Sequence, residues 1–466
     1  MMQSRAPGPE GRPPIRIADL VGRRVAVWGF GREGRAALRA LRARLGAQPL
    51  VLFCPAAEAE AARAFDPPLQ VQTAEPDTAV LAGFDVVVKS PGISAYAPAV
   101  LGAQARGTRI TSGTALWFAE RTDARVVAVT GTKGKSTTTA LIAHLARGLG
   151  VRTALAGNIG MPLLELLDAQ AQLWAVELSS FQTGEAGPLE LGVVTSLYEE
   201  HLDWHGSRER YVADKLRLAD AARTLLVNGT QETLLARTAA HPQRILFGVP
   251  EGWHLREGAI CRAGEPVFAV ADLPVPGEHN ALNACAALAA LEAMGYDARA
   301  AAPALARFRA LPHRLQPLGE RDGRRWINDS ISTTPQATLA ALASLGDAEV
   351  VVIVGGHDRG LDWSEFVEAV SWQPRLALVA QGANGPRIAR ALREAETVGE
   401  VVQAATLEEA VARARALAPA GGVVLLSPGA PSFDQFHDYA ERGRHFAELA
   451  GFDPLAISGI DGLGVA

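Results

Sequence analysis

Apolar, strand-like runs alternate with helix-period stretches along the whole chain. That is the pattern of parallel sheets covered by helices, and so of an α/β protein. Three of the runs end in glycine, where a ligand can approach the backbone. RRVAVWG leads into Gly29-Phe30-Gly31-Arg32-Glu33-Gly34, ARVVAVTG into Gly131-Thr132-Lys133-Gly134-Lys135-Ser136-Thr137, and EVVVIVGG into His357-Asp358-Arg359. The charged stretch FAERTDARV near 120–125 and LPHRLQ near 311–315 separate three blocks, placing domains at 1–122, 123–312 and 313–466. A fourth stretch, Asn328-Asp329-Ser330-Ile331-Ser332-Thr333-Thr334-Pro335, follows the apolar RRWI and reads as a strand end turning into a helix. Ile331 stands out as a greasy β-branched side chain in a polar loop.

A chain of 466 residues exceeds one ordinary domain, and its hydrophobic residues are spread widely enough for several cores. No run reaches the ~18–20 apolar residues of a membrane span, which predicts a soluble protein without a membrane partner. The start, MMQSRAPGPEGRPPIRI, lacks the apolar segment of a secretory signal. Cys54, Cys261 and Cys285 form no CxxC pair, which argues against a disulfide framework or zinc site and for a reducing cytoplasm. A net charge of −5 points to no nucleic-acid partner and leaves any acidic substrate to local cations.

The strongest chemical signal is VVAVTGTKGKSTTTALIAHLARGLG. Its glycine-rich turn would aim backbone N–H groups and a helix N-terminus at phosphate oxygens. Lys135 would add a point charge, and Ser136 or Thr137 a hydroxyl for Mg²⁺. Leu141, Ile142, Leu145 and Leu149 supply the apolar face of the following helix. It is not a complete GxxxxGK[ST], because Val129 stands where the first glycine belongs; the alternative is a tight turn with an incidental lysine. The GxGxxG at Gly29–Gly34 is weaker, since Cys54 occupies the place of the acidic residue that would hold a ribose. A diphosphate on that helix N-terminus needs no redox role. Glu177, ending the short strand in WAVELSSFQTG, is a hard oxygen ligand at a sheet's carboxyl edge. His201 and Lys215 follow in VVTSLYEEHLDWHGSRERYVADKLRLAD; the alternative for His201 is a satisfied structural histidine, and Lys215 taken alone reads as part of a solvated helix face.

These pieces occur in one order with GNIG (157–160), PGEHNALNACAALA (276–289), LPHRLQ, WINDS, GGHDRG and LLSPGAPSFDQF, and together they resemble the Mur ligase family over nearly the whole chain. The resemblance implies a Rossmann-like N-terminal domain for a UDP-linked substrate, a central P-loop ATPase-type domain and a Rossmann-like C-terminal domain for the incoming amino acid. It implies a ligase that activates a carboxylate as an acyl-phosphate with ATP and Mg²⁺, then lets an amine attack. On the matching positions, Gly131 to Thr137 hold the nucleotide phosphates. Asn158 lies near the reacting groups, and Ser136, Glu177 and His201 are metal ligands. Lys215 falls where the family carries a carbamylated lysine, whose anion would help hold a second Mg²⁺. Asn280 and Asn283 match positions near the adenine, Arg314 the phosphates, and Asp329 the ribose hydroxyls or a linker metal–water network; taken singly, the asparagines also suit N-caps and Asp329 an Asx-turn.

The nearest likeness is to the members that add glutamate to UDP-N-acetylmuramoyl-L-alanine. An acceptor with two carboxylates needs cations and hydroxyls, and Thr333, Arg359, Ser432 and Tyr439 occupy those places. Where the common, D-glutamate-adding pattern has Lys-Ala-Thr-Asn after NDS, this chain has Ile331-Ser332-Thr333-Thr334-Pro335, and Arg359 replaces a lysine. Arg imposes a planar fork that Lys does not, and moving cations about one carbon can invert chiral preference. The departures resemble a variant branch that adds L-glutamate and leaves inversion to a separate epimerase, with Ile331 as the specificity marker. D-glutamate is the alternative substrate. Gly29, Gly31, Arg32, Glu33, Gly34, Ser90 and Gly92 would face the UDP substrate. A folylpolyglutamate synthetase, an NAD-dependent oxidoreductase and a regulatory P-loop ATPase are the competing readings.

Overall fold

The computed structural model describes residues 13–198 and 207–466. His201 and the first residues of the chain lie outside the described residues. Two compact units form. One comprises Met1–Val270, Leu282–Leu305 and Gly462–Ala466; the other comprises Ala271–Ala281 and Ala306–Asp461.

The first unit holds one parallel sheet and one that is parallel except at an edge strand. In the five-stranded one, Gln70–Gln72, Leu50–Phe53, Val25–Trp28, Val86–Lys89 and Arg109–Thr111 lie side by side in that order. The seven-stranded one is built on Val126–Thr130, flanked by Leu189–Val194 and Leu173–Glu177, with Thr153–Gly157 next to the latter. Val126–Thr130 is buried on both faces, which is why it reads as a continuous apolar run. Helix Gly113–Glu120, at the boundary expected near 120–125, turns Trp117 against Trp174 with ring centroids 4.8 Å apart, and one apolar core continues through both sheets. Surface ion pairs such as Arg39–Glu165 (2.5 Å) add to this packing, each worth about 1 kcal/mol or less.

Two features of this unit carry no clear mark in the hydrophobic pattern. Residues His254–Arg256, Ala259–Arg262 and Glu265–Ala269 make a separate antiparallel sheet. Gly464–Val465 pairs antiparallel with Thr153–Gly157, closing an edge of the large sheet. Arg147 fastens that strand by donating to the carbonyls of Thr153 (2.7 Å) and Gly464 (3.2 Å).

The second unit is organised on a six-stranded sheet in the order Gln316–Arg321, Arg324–Asn328, Val423–Leu426, Val350–Val354, Leu376–Ala380 and Val401–Gln403. Only its first pair is antiparallel. Three adjacent strands therefore end together, at Asn328, Leu426 and Val354, and the loops after them share one edge. Among the described residues, no helix is long and apolar enough to cross a membrane.

Candidate active site

The glycine-rich turn leaves the central strand and opens a helix, as expected. Gly131 (φ +146°) and Gly134 (φ +84°) adopt backbone conformations that favour glycine, and space forbids a side chain at either. A Cβ at Gly131 would sit 2.0 Å from Thr195 Oγ1, and one at Gly134 would sit 2.5 Å from Asn283 Oδ1. Thr195 Oγ1 and Ser196 Oγ donate to the Lys133 carbonyl (2.6 and 2.9 Å), and Ser196 Oγ accepts from the Lys133 N–H (2.8 Å). The loop is thus braced by the end of the neighbouring strand, Leu189–Val194, a support that no motif announces. Lys135 opens helix Lys135–Gly148 and donates to the Thr132 carbonyl at 2.9 Å. The helix buries Leu141, Ile142 and Leu145, while Leu149 is its C-cap residue.

Glu177 ends Leu173–Glu177 at the adjacent carboxyl edge and is 1% exposed. Asn158 Nδ2 donates to its Oε1 at 2.8 Å, joining two residues that the sequence places in separate motifs. Its Oε2 is buried and has no hydrogen-bond partner among the described residues. A carboxylate fixed through one oxygen and left with the other to spare fits a hard cation such as Mg²⁺, since burying it unpaired is costly. Lys215, on helix Arg208–Ala221, is buried and donates to the Gly131 carbonyl at 2.8 Å. It lies 4.8 Å from the centre of the Tyr211 ring, whose hydroxyl is 2.9 Å from Thr132 Oγ1. The helix position that alone suggests a solvated face therefore points into the phosphate loop.

At the first sheet, Gly29 carries positive φ, and a Cβ there would meet Ser90 Oγ at 2.6 Å. The two loops predicted to face the UDP substrate therefore touch. Glu33, in the first turn of helix Arg32–Leu45, has its carboxyl pushed up to about 7 from 4.5, by burial first and by the charge of Glu185 second. An acid whose pKa is raised on folding binds protons more tightly when folded. Its contribution to stability is therefore fullest below about 4.5 and is lost as pH rises through about 7. Glu33→Gln cannot ionise. In thermal scans it is expected to unfold a few degrees above the wild type at pH 8, and the gap should close near pH 4.5.

In the second unit, the stretch opening at Asn328 is held from inside. Asp329 Oδ1 accepts from the Leu315 N–H (3.0 Å), and Oδ2 accepts from Ser332 Oγ (2.5 Å) and Ser427 Oγ (2.8 Å). Burial pushes this carboxyl up to about 6. Arg442, also buried, donates from Nε to Ser330 Oγ (3.0 Å) and from Nη2 to the Ser330 carbonyl (2.8 Å), and burial pulls its pKa down to about 10. With the loop backbone pinned on both sides, Ile331 and Thr333 remain half-buried at the shared sheet edge. The Ile331 N–H donates to the His313 carbonyl (3.2 Å), and the His313 ring meets the Tyr439 ring edge-on at 6.0 Å. Arg359 lies over the exposed Phe433 ring at 5.9 Å, beside the buried Ser432. The His357 N–H donates to the Pro431 carbonyl at 2.9 Å, bringing the GGHDRG and SPGAPSF segments into one wall. Asn283 accepts from Thr138 Oγ1 at 3.3 Å, and Asn280 donates to the Pro276 carbonyl at 2.6 Å. Arg314 is exposed.

A glycine-rich turn braced beside a fixed carboxylate, on the carboxyl edge of a parallel sheet, is the arrangement on which α/β enzymes hold nucleotide phosphates. Comparison with known proteins narrows the class. The Mur ligase middle domain matches residues 129–291, and the Mur ligase, glutamate ligase domain matches residues 313–429. The UDP-N-acetylmuramoyl-L-alanine--L-glutamate ligase of Xanthomonas axonopodis pv. citri (strain 306) is 54% identical, over 97% of this chain and 100% of that one. Among solved structures, the UDP-N-acetylmuramate-alanine ligase of Thermotoga maritima has a TM-score of 0.61 at 20% identity, over 92% of this chain and 99% of that one. The MurF ligase of the same organism, solved in complex with ADP, has a TM-score of 0.56 at 15% identity, over 93% and 95%. These two likenesses concern the fold. The chain belongs to the Mur ligase family.

Proposed function

We propose that this chain is an ATP-dependent ligase that joins L-glutamate to UDP-N-acetylmuramoyl-L-alanine through an acyl-phosphate, a step in making peptidoglycan precursors. The observation that carries the reading is the full-length likeness to a ligase of that printed name. The Asn158–Glu177 pair beside the phosphate loop supports it with chemistry. Residues 1–122 are assigned to the UDP substrate, 123–312 to ATP and 313–466 to glutamate.

A free carboxylate expels oxide poorly, whereas an acyl-phosphate expels phosphate readily, so the enzyme must first place the substrate carboxylate in line with the γ-phosphate. Phosphoryl transfer of this kind is chiefly positioning and charge stabilisation. In this reading, backbone N–H groups of Gly131 to Gly134 and the first turn at Ser136 and Thr137 hold the phosphates, while Lys135 swings its ammonium from Thr132 onto them. Asn158 keeps Glu177 in place. Asn280, Asn283, Arg314 and Asp329 serve the nucleotide. Thr333, Arg359, Ser432 and Tyr439 hold the glutamate carboxylates so that its amine faces the acyl carbon. Magnesium, when bound, neutralises charge on the transferring phosphate. Ser136, Glu177, His201 and a carbamylated Lys215 would hold it, in two sites. A separate epimerase would invert the added residue, and the three free cysteines suit a cytoplasmic location.

The test is phosphate release from ATP with each substrate supplied alone and together. Release that requires both UDP-N-acetylmuramoyl-L-alanine and glutamate is the expected result. ADP formed at full rate with neither would sink the ligase reading.

A further inference from the structure

We propose that Lys89 is an anion-binding residue for the diphosphate of the nucleotide-linked substrate, kept neutralised by Glu185 until that anion arrives. The proposal rests on the assignment of the first sheet to that substrate and gives a charge-bearing role there to Lys89, the first residue of the Lys89–Gly92 loop.

Val25–Trp28 and Val86–Lys89 are neighbouring parallel strands, with Trp28 opposite Lys89. From the first, the chain turns to Leu50–Phe53 on one side; from the second, to Arg109–Thr111 on the other. The crevice at such a reversal, outside the carboxyl ends of the strands, is where open α/β sheets accept ligands. Helix Arg32–Leu45 begins there and presents its N-terminus.

At this point two consecutive residues leave polar atoms buried and unsatisfied. Lys89 is 4% exposed, and its Nζ has no hydrogen-bond partner among the described residues; the same holds for Ser90 Oγ. Glu185 Oε1 lies 3.8 Å from the ammonium, near enough to offset its charge but too far for a hydrogen bond. Glu185 is itself committed elsewhere, accepting from Ser112 Oγ through Oε2 at 2.6 Å. Burying an ammonium without donating any of its three N–H groups costs several kcal/mol, so this arrangement makes physical sense as half of a site. The missing half is a compact, acceptor-only dianion. A diphosphate can take a Lys89 N–H, the Ser90 hydroxyl and N–H groups of the helix start together. The four-carbon stem of lysine lets the ammonium turn from Glu185 to the ligand without moving the strand.

Calorimetric titration of the full chain with UDP, uridine and UDP-N-acetylmuramoyl-L-alanine tests this. Lys89→Met should weaken UDP and the full substrate by roughly 10- to 100-fold, the range for loss of one charge-assisted hydrogen bond. It should leave uridine and ATP affinities within about twofold. Glu185→Gln, which removes the competing carboxylate, should tighten UDP binding, a change opposite in sign to that of a merely structural role. Equal losses for UDP and uridine, or unchanged UDP affinity in Lys89→Met, would overturn the proposal. A loss confined to the full substrate would place Lys89 at another part of that molecule and overturn it as well. Should Lys89→Met fail to fold, failure of Glu185→Gln to tighten UDP binding would be decisive. Absence of UDP binding by the wild-type protein would instead overturn the assignment of the first sheet.

Discussion

Lys215→Ala is expected to lose ligation by roughly 10²- to 10³-fold in kcat, the scale of removing one electrostatic stabilising group from a reacting site, and to regain part of it in formate or acetate. Lys215 is buried and already reaches the phosphate loop, with Nζ 2.8 Å from the Gly131 carbonyl. As an ammonium it tethers that carbonyl; as a carbamate, formed when the neutral amine adds CO₂ and releases a proton, it becomes a hard anionic ligand beside the phosphates. The two forms predict opposite rescues. A small carboxylate entering the space left by truncation can replace an anion but not a cation. Lys215→Arg keeps the cation and cannot carry the same adduct, so it too should be inactive. Full activity of Lys215→Arg, or no response of Lys215→Ala to any carboxylate, would exclude the carbamate. Initial rates with all three substrates saturating are the measurement.

The second large effect concerns the hand of the acceptor. The wild-type protein should prefer L- to D-glutamate by at least about 100-fold in kcat/KM, corresponding to roughly 3 kcal/mol. Such a ratio needs carboxylate-binding groups in fixed places, and the second unit supplies fixity. On either side of Ile331, Asp329 holds the Ser332 hydroxyl and Arg442 the Ser330 carbonyl, while the His313 carbonyl holds the Ile331 N–H. Ile331 presents an apolar half-buried surface where a lysine would present a charge. Ile331→Lys should therefore cut the preference by tenfold or more, chiefly by raising turnover of D-glutamate. Faster wild-type turnover of D-glutamate would refute the stereochemical assignment and leave the ligase reading intact.

Much of this architecture is legible in the sequence because buried parallel strands write themselves as apolar runs ending in glycine. Val126–Thr130 and Val350–Val354 are examples, and the glycines at 131 and 134 prove necessary for reasons of space. Strand, turn and helix around Asn328–Pro335 are readable too, since Thr334 caps and Pro335 opens helix Pro335–Ala343. The pattern is silent where structure depends on distant partners. Trp117 looks like any helical aromatic until Trp174 meets it, so the single unit made from the first two sheets is hidden. The short strands between His254 and Ala269 are too brief and polar to show a period. Lys89 and Arg442 are charged residues at buried positions. What keeps each there is a residue far along the chain, Glu185 for one and Ser330 for the other. The one visible hint is that Lys89 closes an otherwise apolar VVVK strand.

The pairing of Gly464–Val465 with Thr153–Gly157 also bears on how the protein is made. Arg147 and Gly464 are separated by 317 positions, so this edge of the seven-stranded sheet stays open through most of synthesis. Thr153–Gly157, which leads directly to Asn158, is buried along its whole length once folded. Until its partner arrives it presents an unpaired strand, the kind of template on which nascent chains aggregate. Such a distant closure is slow to form by chance encounter. Yield of soluble enzyme would then depend on the intactness of residues 462–466, far in sequence from the chemistry they complete.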